Sequence, residues 1–451
     1  MGFVKENKSI IIAGITSIFI AVMFQISLLD FLSSNKLLIA GIIISAVYLW
    51  RPEAGIFIFI GIIPFFDAKS IPVLCGVLFV CFLFLLITRK IKGIGFPLLI
   101  PVLIYCAILI LSCYRATYFI ESFKATLSQI AIILFCFIAY NSINTKKQLA
   151  NALNFFVFSG FAVSLYGIYQ HFFYEAMPES WIDSTVFTQI KVRVFSTLEN
   201  PNVLGHYLIF AIMFCILLLW TSKTYQKIIY SVILAAMLSC VIFTYSRGAI
   251  WSIVPAFFVF LLFKNWKLLV PGFVSLAIGS YLLSPNIVNR LSSSFSTGDS
   301  SLIYRFGIWK ASINIAYYNW LFGIGPGREI YCKEYGLYSD KPAAHPHNFI
   351  LQIFVETGVL GLLSFLFIIA VFFKKLWTSF KKADDKFYST LVICIFSIIA
   401  GYFFQGLLEG IFADMRVLAV FWLTISLGMI CEKLVLKNYN AKKPIKYAES
   451  I

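Results

Sequence analysis

Charged side chains are scarce in this sequence, and that scarcity sets its class. Asp, Glu, Lys and Arg make up only 12% of the 451 residues, about half of the roughly 25% found in soluble domains. Hydrophobic residues reach 61%, and the mean hydropathy is +0.90. Apolar runs long enough to cross a bilayer recur from one end of the chain to the other. The composition excludes an ordinary soluble protein and indicates an integral membrane protein.

Histidine and acidic residues are also few, and the cysteines form no framework. The chain has four histidines, and 20 acidic residues against 36 basic ones give a net charge of +16. Nine of the ten cysteines lie in or beside apolar runs and only Cys332 lies in a long loop, so no CxxC pair or disulfide pattern is visible. The basic residues form short clusters between apolar runs, which disfavours nucleic-acid binding and is typical of topology signals.

The apolar runs predict an all-α polytopic membrane protein with about 12 to 14 transmembrane helices. The first run is long for a secretory signal and no small-residue cleavage site follows it, so we expect a retained span. The second and third runs are short, and a re-entrant or a tilted pair would accommodate them. The candidate spans lie near residues 9–29, 36–50, 54–66, 71–88, 96–112, 126–141, 150–172, 202–220, 227–244, 247–263, 267–284, 348–373, 388–409 and 413–435.

The basic clusters predict the orientation of these spans. All of them fall on one side of the membrane if every candidate span crosses it, and the positive-inside rule makes that side cytoplasmic. Both termini are then cytoplasmic, and the long loops 173–200 and 285–346 lie on the outer face. The clusters are Arg89, Lys90 and Lys92; Lys146 and Lys147; Lys223 and Lys227; Lys264 and Lys267; Lys374, Lys375, Lys381 and Lys382; and the Lys-rich tail.

The larger outer loop contains a helical pattern. It begins with the Ser-rich stretch RLSSSFSTGDSS and continues with LIYRFGIWKASINIAYYNW. In the second stretch Ile308, Trp309, Ile313 and Ala316 recur at helical spacing. The pattern predicts a short amphipathic helix at the outer membrane–water boundary.

Two arginine motifs lie at the outer ends of predicted spans. In RVFSTLENPNVLGHYL, Asn200 is a good helix cap and Pro201 a favoured first helical residue, but Arg193 has no such structural explanation. In FTYSRGAIW, Arg247 lies between two apolar spans. An arginine at the bilayer centre costs about 2.5–3.5 kcal/mol on insertion scales, so we favour a functional role for Arg247 over anchoring.

A third motif joins YRFGIWK to the glycine-rich LFGIGPGREIY. The glycines, Gly323, Gly325 and Gly327, are not followed by the Gly-Lys-Ser/Thr of a phosphate-binding P-loop, so they indicate a tight turn or a close backbone approach. Arg305, on the preceding helical stretch, is a candidate phosphate ligand. It would also be explained by simple snorkelling to the membrane surface, and the spacing does not decide between the two.

The fourth motif, HPHN, comes directly before the span 348–373. Pro346 as the first helical residue would make His345 the approximate cap and place His347 and Asn348 in the first turn. A helix N-terminus disfavours imidazolium, so we expect a neutral His347 that accepts a proton or a hydrogen bond. Two histidines separated by one residue point to different sides of a helix, which disfavours a metal site, while a structural histidine remains an alternative.

Further along this span, ETGVLG is predicted to serve packing. Glu356 follows His347 by nine residues, about two and a half helical turns and too far for direct contact. Gly358 and Gly361 are expected to permit close helix approach.

The four pieces in this order, RVFSTLENPN, YSRGA, RFGIWKASINIAYYNWLFGIGPG and HPHNFILQIFVETGVLGLL, resemble the signature region of the O-antigen ligase/polymerase superfamily. The resemblance covers roughly residues 190–375. It implies a GT-C-like membrane glycosyltransferase that acts on glycans carried by undecaprenyl diphosphate, with outer-face arginines on the diphosphate and an essential histidine. By motif, the histidine is His347 and the arginines are Arg247, Arg305 and Arg193, with supporting roles for Asn348, His345, Asn200 and Asn202.

The resemblance also implies how the chain is divided and how it works. Helices 1–149 precede a catalytic region, 150–375, and a C-terminal part, 376–451. The outer loops contain no Asp-x-Asp element, and Asp384 and Asp385 fall in a predicted cytoplasmic loop. We therefore expect neither metal nor other cofactor, a donor that arrives through the lipid already activated, and an acceptor glycan or lipid whose hydroxyl attacks the anomeric carbon, with His347 orienting or deprotonating it.

Two questions stay open at this level. A polymerase joins lipid-linked repeat units, whereas a ligase moves a finished glycan to another acceptor, and spacing does not separate them. A transporter or flippase of lipid-linked oligosaccharide is the alternative from another class. It would favour ionisable groups at mid-membrane and an internal repeat, whereas here the polar motifs gather on one face.

Overall fold

The computed structural model describes residues 35–91, 94–174, 192–269 and 300–442. Every regular element in these ranges is helical, which confirms the all-α class. The predicted first span, most of the span 267–284, most of the Ser-rich stretch, most of the loop 173–200, Lys92 and residues 443–451 of the Lys-rich tail lie outside the described residues.

The described ranges contain fourteen α-helices and three short 3-10 segments. The helices are α1 (Lys36–Trp50), α2 (Pro52–Ile62), α3 (Ser70–Ile87), α4 (Leu99–Arg115), α5 (Phe119–Ser142), α6 (Lys146–Phe173), α7 (Pro201–Thr221), α8 (Thr224–Phe243), α9 (Arg247–Asn265), α10 (Ser300–Tyr318), α11 (Arg328–Tyr335), α12 (Phe349–Lys382), α13 (Lys386–Gly406) and α14 (Met415–Lys442). The 3-10 segments are Ile63–Phe65, Ser196–Leu198 and Trp266–Leu268.

Within these ranges nine helices are long and apolar enough to cross a membrane: α3, α5, α6, α7, α8, α9, α12, α13 and α14. Three shorter apolar helices, α1, α2 and α4, accompany them. The most apolar stretch of α14 is 94% buried and that of α7 is 83% buried, against 28% for α8 and 22% for α9. Helices α7 and α14 therefore form the centre of a polytopic bundle, and α8 and α9 lie nearer its periphery.

One end of the bundle, which we call the basic end, carries lysine ion pairs. Lys146 at the start of α6 pairs with Asp385 just before α13. Lys442 at the end of α14 pairs with Asp384 at 2.7 Å. These lysines and aspartates belong to loops predicted to be cytoplasmic, and the fold brings them together. The opposite end, where α10 and α11 lie, we call the loop end.

Helices α1 and α2 form a hairpin that reaches from the basic end to the loop end. Arg51 alone separates them. At the basic end the Tyr48 hydroxyl lies 3.0 Å from Ser142 Oγ. At the loop end the carbonyl of Phe66, just after the 3-10 segment, accepts a hydrogen bond from Arg416 at 3.4 Å. The two short runs are therefore a pair that extends across the bundle, not a re-entrant one.

A helix is present at the predicted position as α10, but its apolar side chains are not confined to one face as predicted, since Ile303 and Phe306 are also exposed. Ile308 and Ala316 are buried as expected, whereas Ile313 is 57% exposed. The buried stripe consists of Ile308, Ala311, Ser312, Ile315 and Ala316. At about 100° per residue, position 313 lies roughly 140° from position 308, so the two side chains cannot share a face.

The glycine-rich turn after α10 docks into a break in α12. The break is at Gly358, whose φ of +66° and ψ of −170° interrupt the helix. Ile324 N–H donates to the Val355 carbonyl at 2.9 Å, and Val359 N–H donates to the Trp320 carbonyl at 2.7 Å. This contact ties α10, the outer-loop helix, to α12.

The docking requires glycine on both sides. A Cβ on Gly323 would lie 2.4 Å from the carbonyl carbon of Glu356, and a Cβ on Gly358 would lie 2.2 Å from the Leu321 carbonyl oxygen. Gly323, Gly325 and Gly327 all have positive φ, so the predicted tight turn is confirmed. The prediction for Gly358 was wrong in one respect, because the close approach is to the loop backbone and not to another helix.

Candidate functional site

A buried carboxylate organises the polar groups at the loop end. Glu409 lies in the loop between α13 and α14 and is 6% exposed. Its Oε1 accepts hydrogen bonds from Arg305 Nη2 at 2.5 Å and from Asn202 Nδ2 at 3.0 Å. Its Oε2 lies 3.1 Å from Nδ1 of His347. We call these four residues the Glu409 cluster.

The cluster joins four segments that are far apart in the sequence. Asn202 is in the first turn of α7, Arg305 is on α10, and His347 directly precedes the cap of α12. Because each contributes a polar group to one carboxylate, Glu409 fixes how α7, α10 and α12 meet at the loop end. A buried carboxylate is tolerated here because its oxygens all have charged or hydrogen-bonding partners.

His347 is not in a helical turn, so the predicted start of this span was wrong. Helix α12 begins at Phe349, three residues after Pro346, and Asn348 is its cap. The Asn348 side-chain oxygen accepts from the Leu351 N–H at 3.0 Å, as expected of a preferred capping residue. The charged group in contact with the His347 ring is therefore Glu409 and not a helix N-terminus.

The backbone of His347 is strained. Its φ is +51°, in the left-handed region that residues other than glycine rarely adopt. Such strain costs on the order of 1–3 kcal/mol and persists only where surrounding contacts impose it. Here the imposing contacts are the Glu409 bond to the side chain and the Asn348 cap that follows, and these contacts hold the imidazole in the cluster despite the strain.

His345 packs behind His347 and does not cap the helix. The two rings are 4.1 Å apart between centroids, and Nδ1 of His345 accepts a hydrogen bond from the His347 backbone N–H at 3.3 Å. Burial, reinforced by the nearby His347, lowers the pKa of His345 to about 3, so it is neutral and able to accept that bond. A Cβ on Gly410 would lie 2.5 Å from the same Nδ1, so the ring lies directly against the loop that carries Glu409.

Arg193 and Asn202 form a chain that leads to Glu409. Arg193 is 8% exposed, and its Nε donates to the Thr244 carbonyl at 3.0 Å. Its Nη2 donates to Asn202 Oδ1 at 3.3 Å, while the amide nitrogen of Asn202 donates to Glu409. Arg193 is thus one residue removed from the carboxylate. The supporting residue Asn202 lies in the cluster itself.

Arg247 begins α9 at the same end of the bundle. The preceding residue, Ser246, caps α9 by accepting from the Ala249 N–H at 3.4 Å and donates its hydroxyl proton to Asn202 Oδ1 at 2.8 Å. Arg247 is half-buried beside this junction. The structure therefore places all three predicted arginines at the loop end, with Arg305 in direct contact with the cluster.

Asn200 has a structural position. It caps α7 by accepting from the backbone N–H groups of Asn202 at 2.8 Å and Val203 at 3.4 Å, and Pro201 is the first helical residue. The predicted cap is confirmed. By capping α7, Asn200 fixes the start of the helix whose first turn carries Asn202.

Comparison with known proteins now bears on this site. Residues 231–366 match a family model described as O-antigen ligase. An O-antigen ligase of Salmonella typhimurium is 26% identical over 204 residues, which cover 42% of this chain and 50% of that protein. Both matches support an O-antigen ligase/polymerase family membrane protein. The chain spans about half the length of the relative that it matches.

The O-antigen ligase match includes part of the site and leaves part out. Arg247, Arg305 and His347 lie inside the matched segment, whereas Arg193 and Glu409 lie outside it. The matched segment contains the residues on which the likeness rests, and the carboxylate that connects Arg305 with His347 comes from outside that segment. Among the described residues no three His, Cys, Asp or Glu side chains are grouped so that they could hold a metal ion.

Sequence reasoning missed two residues where α13 is joined to α14: Glu409 in the connecting loop and Arg416 in the first turn of α14. Glu409 was counted as the last residue of an apolar span and received no role. Arg416 is 2% exposed, binds Asp414 through two nitrogens at 2.7 and 3.0 Å, and donates to the Leu198 carbonyl at 3.1 Å. One sequence feature could have pointed to them: the segment QGLLEGIFADMR contains two acidic residues and an arginine, although the whole chain has only 20 acidic residues.

Glu356 belongs to a different environment. It lies deeper in α12 and accepts a hydrogen bond from Gln352 at 2.9 Å. Together with Tyr105 and Trp422 these side chains line a small cavity between α4, α12 and α14. Glu356 therefore offers a half-buried carboxylate with a partner of its own, separate from the Glu409 cluster.

Proposed function

We propose that this chain is a GT-C-like membrane glycosyltransferase of cell-surface polysaccharide biosynthesis. It transfers a glycan from an undecaprenyl-diphosphate-linked donor to an acceptor hydroxyl on the outer face of the cytoplasmic membrane. The observation that carries the proposal is the meeting of His347 and Arg305 on one buried carboxylate, Glu409, at the loop end. A general base and a phosphate ligand are the two groups that this reaction needs.

The side of the membrane follows from charge. The loops that meet at the basic end are rich in lysine, and the positive-inside rule assigns them to the cytoplasm. The Glu409 cluster lies at the opposite end of the same helices, which faces outward in this orientation. No nucleotide sugars are supplied there, so the donor must reach the site through the lipid with its leaving group attached.

Arginine side chains suit a lipid-linked diphosphate. Guanidinium groups stay protonated and bind phosphate oxygens through two parallel N–H bonds. Arg305 and Arg247 hold the diphosphate in this proposal. Arg193 contributes positive charge from behind Asn202, because two of its nitrogens already bond to Thr244 and Asn202.

The reaction is a displacement at the anomeric carbon. The acceptor oxygen forms a bond to that carbon while the bond from the carbon to the diphosphate oxygen breaks, and the electron pair leaves with undecaprenyl diphosphate. His347 takes the proton of the acceptor hydroxyl. The arginines stabilise the charge that develops on the leaving diphosphate, with no metal assigned to this step, and a single displacement inverts the anomeric configuration.

Deletion of the gene in the source cell, followed by analysis of lipid-linked glycan, tests this function. Full-length polymer stranded on the lipid carrier on the outer leaflet supports transfer to a separate acceptor. Single repeat units stranded there support polymerisation, which uses the same chemistry. Glycan trapped on the cytoplasmic leaflet would overturn the proposal and indicate a transporter.

A further inference from the structure

The carboxylate of Glu409 has two oxygens that serve different partners. Oε2 faces Nδ1 of His347 at 3.1 Å, and Oε1 faces Arg305 and Asn202. Resting on the proposed function, we propose that Glu409 is a positioning residue: it orients His347 with its proton on Nδ1, which leaves Nε2 to accept the acceptor proton, and it holds Arg305 beside it. Neither the family match nor the motifs include this residue.

The charge of Glu409 depends on the groups that surround it. Burial alone would raise the pKa of this carboxyl. The Arg305 charge and the contact with His347 outweigh burial and hold the pKa well below its usual range. The titratable groups that face Glu409 are Arg305 from α10, His345 and His347 from the loop before α12, and His206 from α7. Glu409 is therefore ionised near neutral pH and acts only as an acceptor.

The ionised carboxylate decides which ring nitrogen of neutral His347 carries the proton. A neutral imidazole has one N–H and one bare nitrogen, and the hydrogen bond at one nitrogen decides which is which. Because an ionised carboxylate accepts at Nδ1, the proton of neutral His347 is on Nδ1. Nε2 then carries the lone pair, which is what a general base requires.

Arg305 uses only part of its guanidinium group in the pair with Glu409. Only Nη2 of its guanidinium takes part in the pair with Glu409 among the described contacts. The fork of N–H donors on the remaining nitrogens can bind a phosphate while the pair stays intact. Glu409 thus sets the distance between the proton acceptor and the phosphate ligand.

Nitrogen NMR of the imidazole rings tests the inference without any substrate. The full chain, labelled with ¹⁵N-histidine, is placed in lipid nanodiscs, and the His347 signals are assigned by their loss in His347→Gln. The expected result is a protonated Nδ1 and a bare Nε2 in the native protein, and a mixed or reversed pattern in Glu409→Gln. Glu356→Gln, which removes a half-buried carboxylate elsewhere in the bundle, should leave the His347 signals unchanged.

Two results of this measurement would overturn the inference. One is a native His347 that carries its proton on Nε2. The other is an unchanged proton position in Glu409→Gln. If Glu409→Gln does not fold, Glu409→Asp serves instead, because its shorter arm cannot reach both partners and is expected to give the mixed pattern.

Kinetics supply a second readout that a purely structural role would not move. With lipid-linked glycan extracted from a deletion strain as donor, Glu409→Gln should lower kcat at least about tenfold, a part of the 10²–10⁴-fold that general base catalysis provides. The donor KM should change less than kcat, because Arg305 keeps its charge and loses only its contact with the carboxylate. In a His347→Ala background the same change should lower kcat only a little further, since most of its effect on kcat acts through the imidazole. A raised KM with unchanged kcat, or a full additional loss in that background, would contradict the inference.

The two claims fail in different ways. Absence of transfer by the native protein in that assay would count against the proposed function, while the NMR pattern would still decide the role of Glu409. Native transfer that Glu409→Gln retains in full would count against the positioning role alone.

Discussion

The side chains of Glu409 and His347 meet at 3.1 Å although the residues are 62 positions apart. Between them lies all of α12 and α13, a complete passage across the bundle and back. The contact therefore depends on the tertiary fold, and it places a carboxylate behind the imidazole in the arrangement that orients a general base.

Replacement of His347 should stop transfer without preventing folding. His347→Ala removes the proton acceptor, so transfer of lipid-linked glycan should fall by about 10²–10⁴-fold. His171→Gln is the matched control, because that histidine stacks on Phe243 at 3.8 Å and has no part in the cluster. Membrane insertion of both variants is checked by expression and thermal unfolding in detergent. Near-native transfer by His347→Ala would contradict the assignment of His347 as the proton acceptor.

Replacement of the arginines should weaken donor binding. Arg247→Ala and Arg305→Ala each remove a guanidinium that the proposal places on the diphosphate, and we expect transfer to be abolished and binding of undecaprenyl diphosphate to weaken at least about tenfold, or roughly 1.4 kcal/mol. Arg305→Lys keeps the charge but loses the fork and should show an intermediate affinity. Arg51→Lys, at the turn between α1 and α2, is the control. Unchanged binding in all three site variants would contradict the assignment.

Gly323 and Gly358 should be intolerant of any side chain. A Cβ at either position would collide with backbone of the opposing segment at 2.4 or 2.2 Å. We expect Gly323→Ala and Gly358→Ala to lower the free energy of unfolding by about 1–3 kcal/mol or more and to reduce transfer, because α10 and Arg305 shift relative to α12. Gly307→Ala, on an exposed turn of α10 with nothing within 4 Å, is the control and should be neutral. Thermal unfolding and transfer assays check both effects, and equal behaviour of the three variants would refute the docking argument.

Acid should destabilise the loop end through His345. Its pKa is lowered to about 3 in the folded protein, mainly by burial and then by nearby His347 and Arg328, against an ordinary value of 6.5. The unfolded chain therefore binds the proton more readily, so the stability that neutral His345 supports is complete above pH 6.5 and is lost as the pH falls toward 3. Thermal unfolding at pH 7.5 and pH 4.5 should show a smaller loss in His345→Gln than in the native protein. An equal loss would contradict this reading.

The sequence predicted local features well where one segment decides them. The Asn200 cap with Pro201, the glycine turn after α10 and the existence of α10 itself follow from residues close together in the chain, and the structure has all three. The start of α12 was predicted wrongly because Pro346 was given more weight than Asn348. An asparagine side chain can accept from the third N–H beyond it, and that bond fixes the helix start.

The carboxylate at the centre of the site could not be read from local pattern. Glu409 is 104 residues from Arg305 and 207 from Asn202, so the spacing in the sequence contains no sign of either contact. The face of α10 was misjudged for a different reason. Position 313 lies about 140° from position 308 around a helix, so helical geometry already excludes Ile313 from the stripe that contains Ile308. Long-range packing therefore accounts for the missed carboxylate, and a misapplied helical period accounts for the face of α10.

Release of undecaprenyl diphosphate by the purified protein tests the central claim most directly. Lipid-linked glycan from a deletion strain is incubated with the full chain in nanodiscs, together with acceptor material from the same cells, and the free lipid diphosphate is measured. The account predicts release coupled to glycan transfer by the native protein and by His171→Gln, and at least about 10²-fold less by His347→Ala. Equal release by His347→Ala, or movement of the intact lipid-linked glycan across a bilayer without bond cleavage, would contradict it.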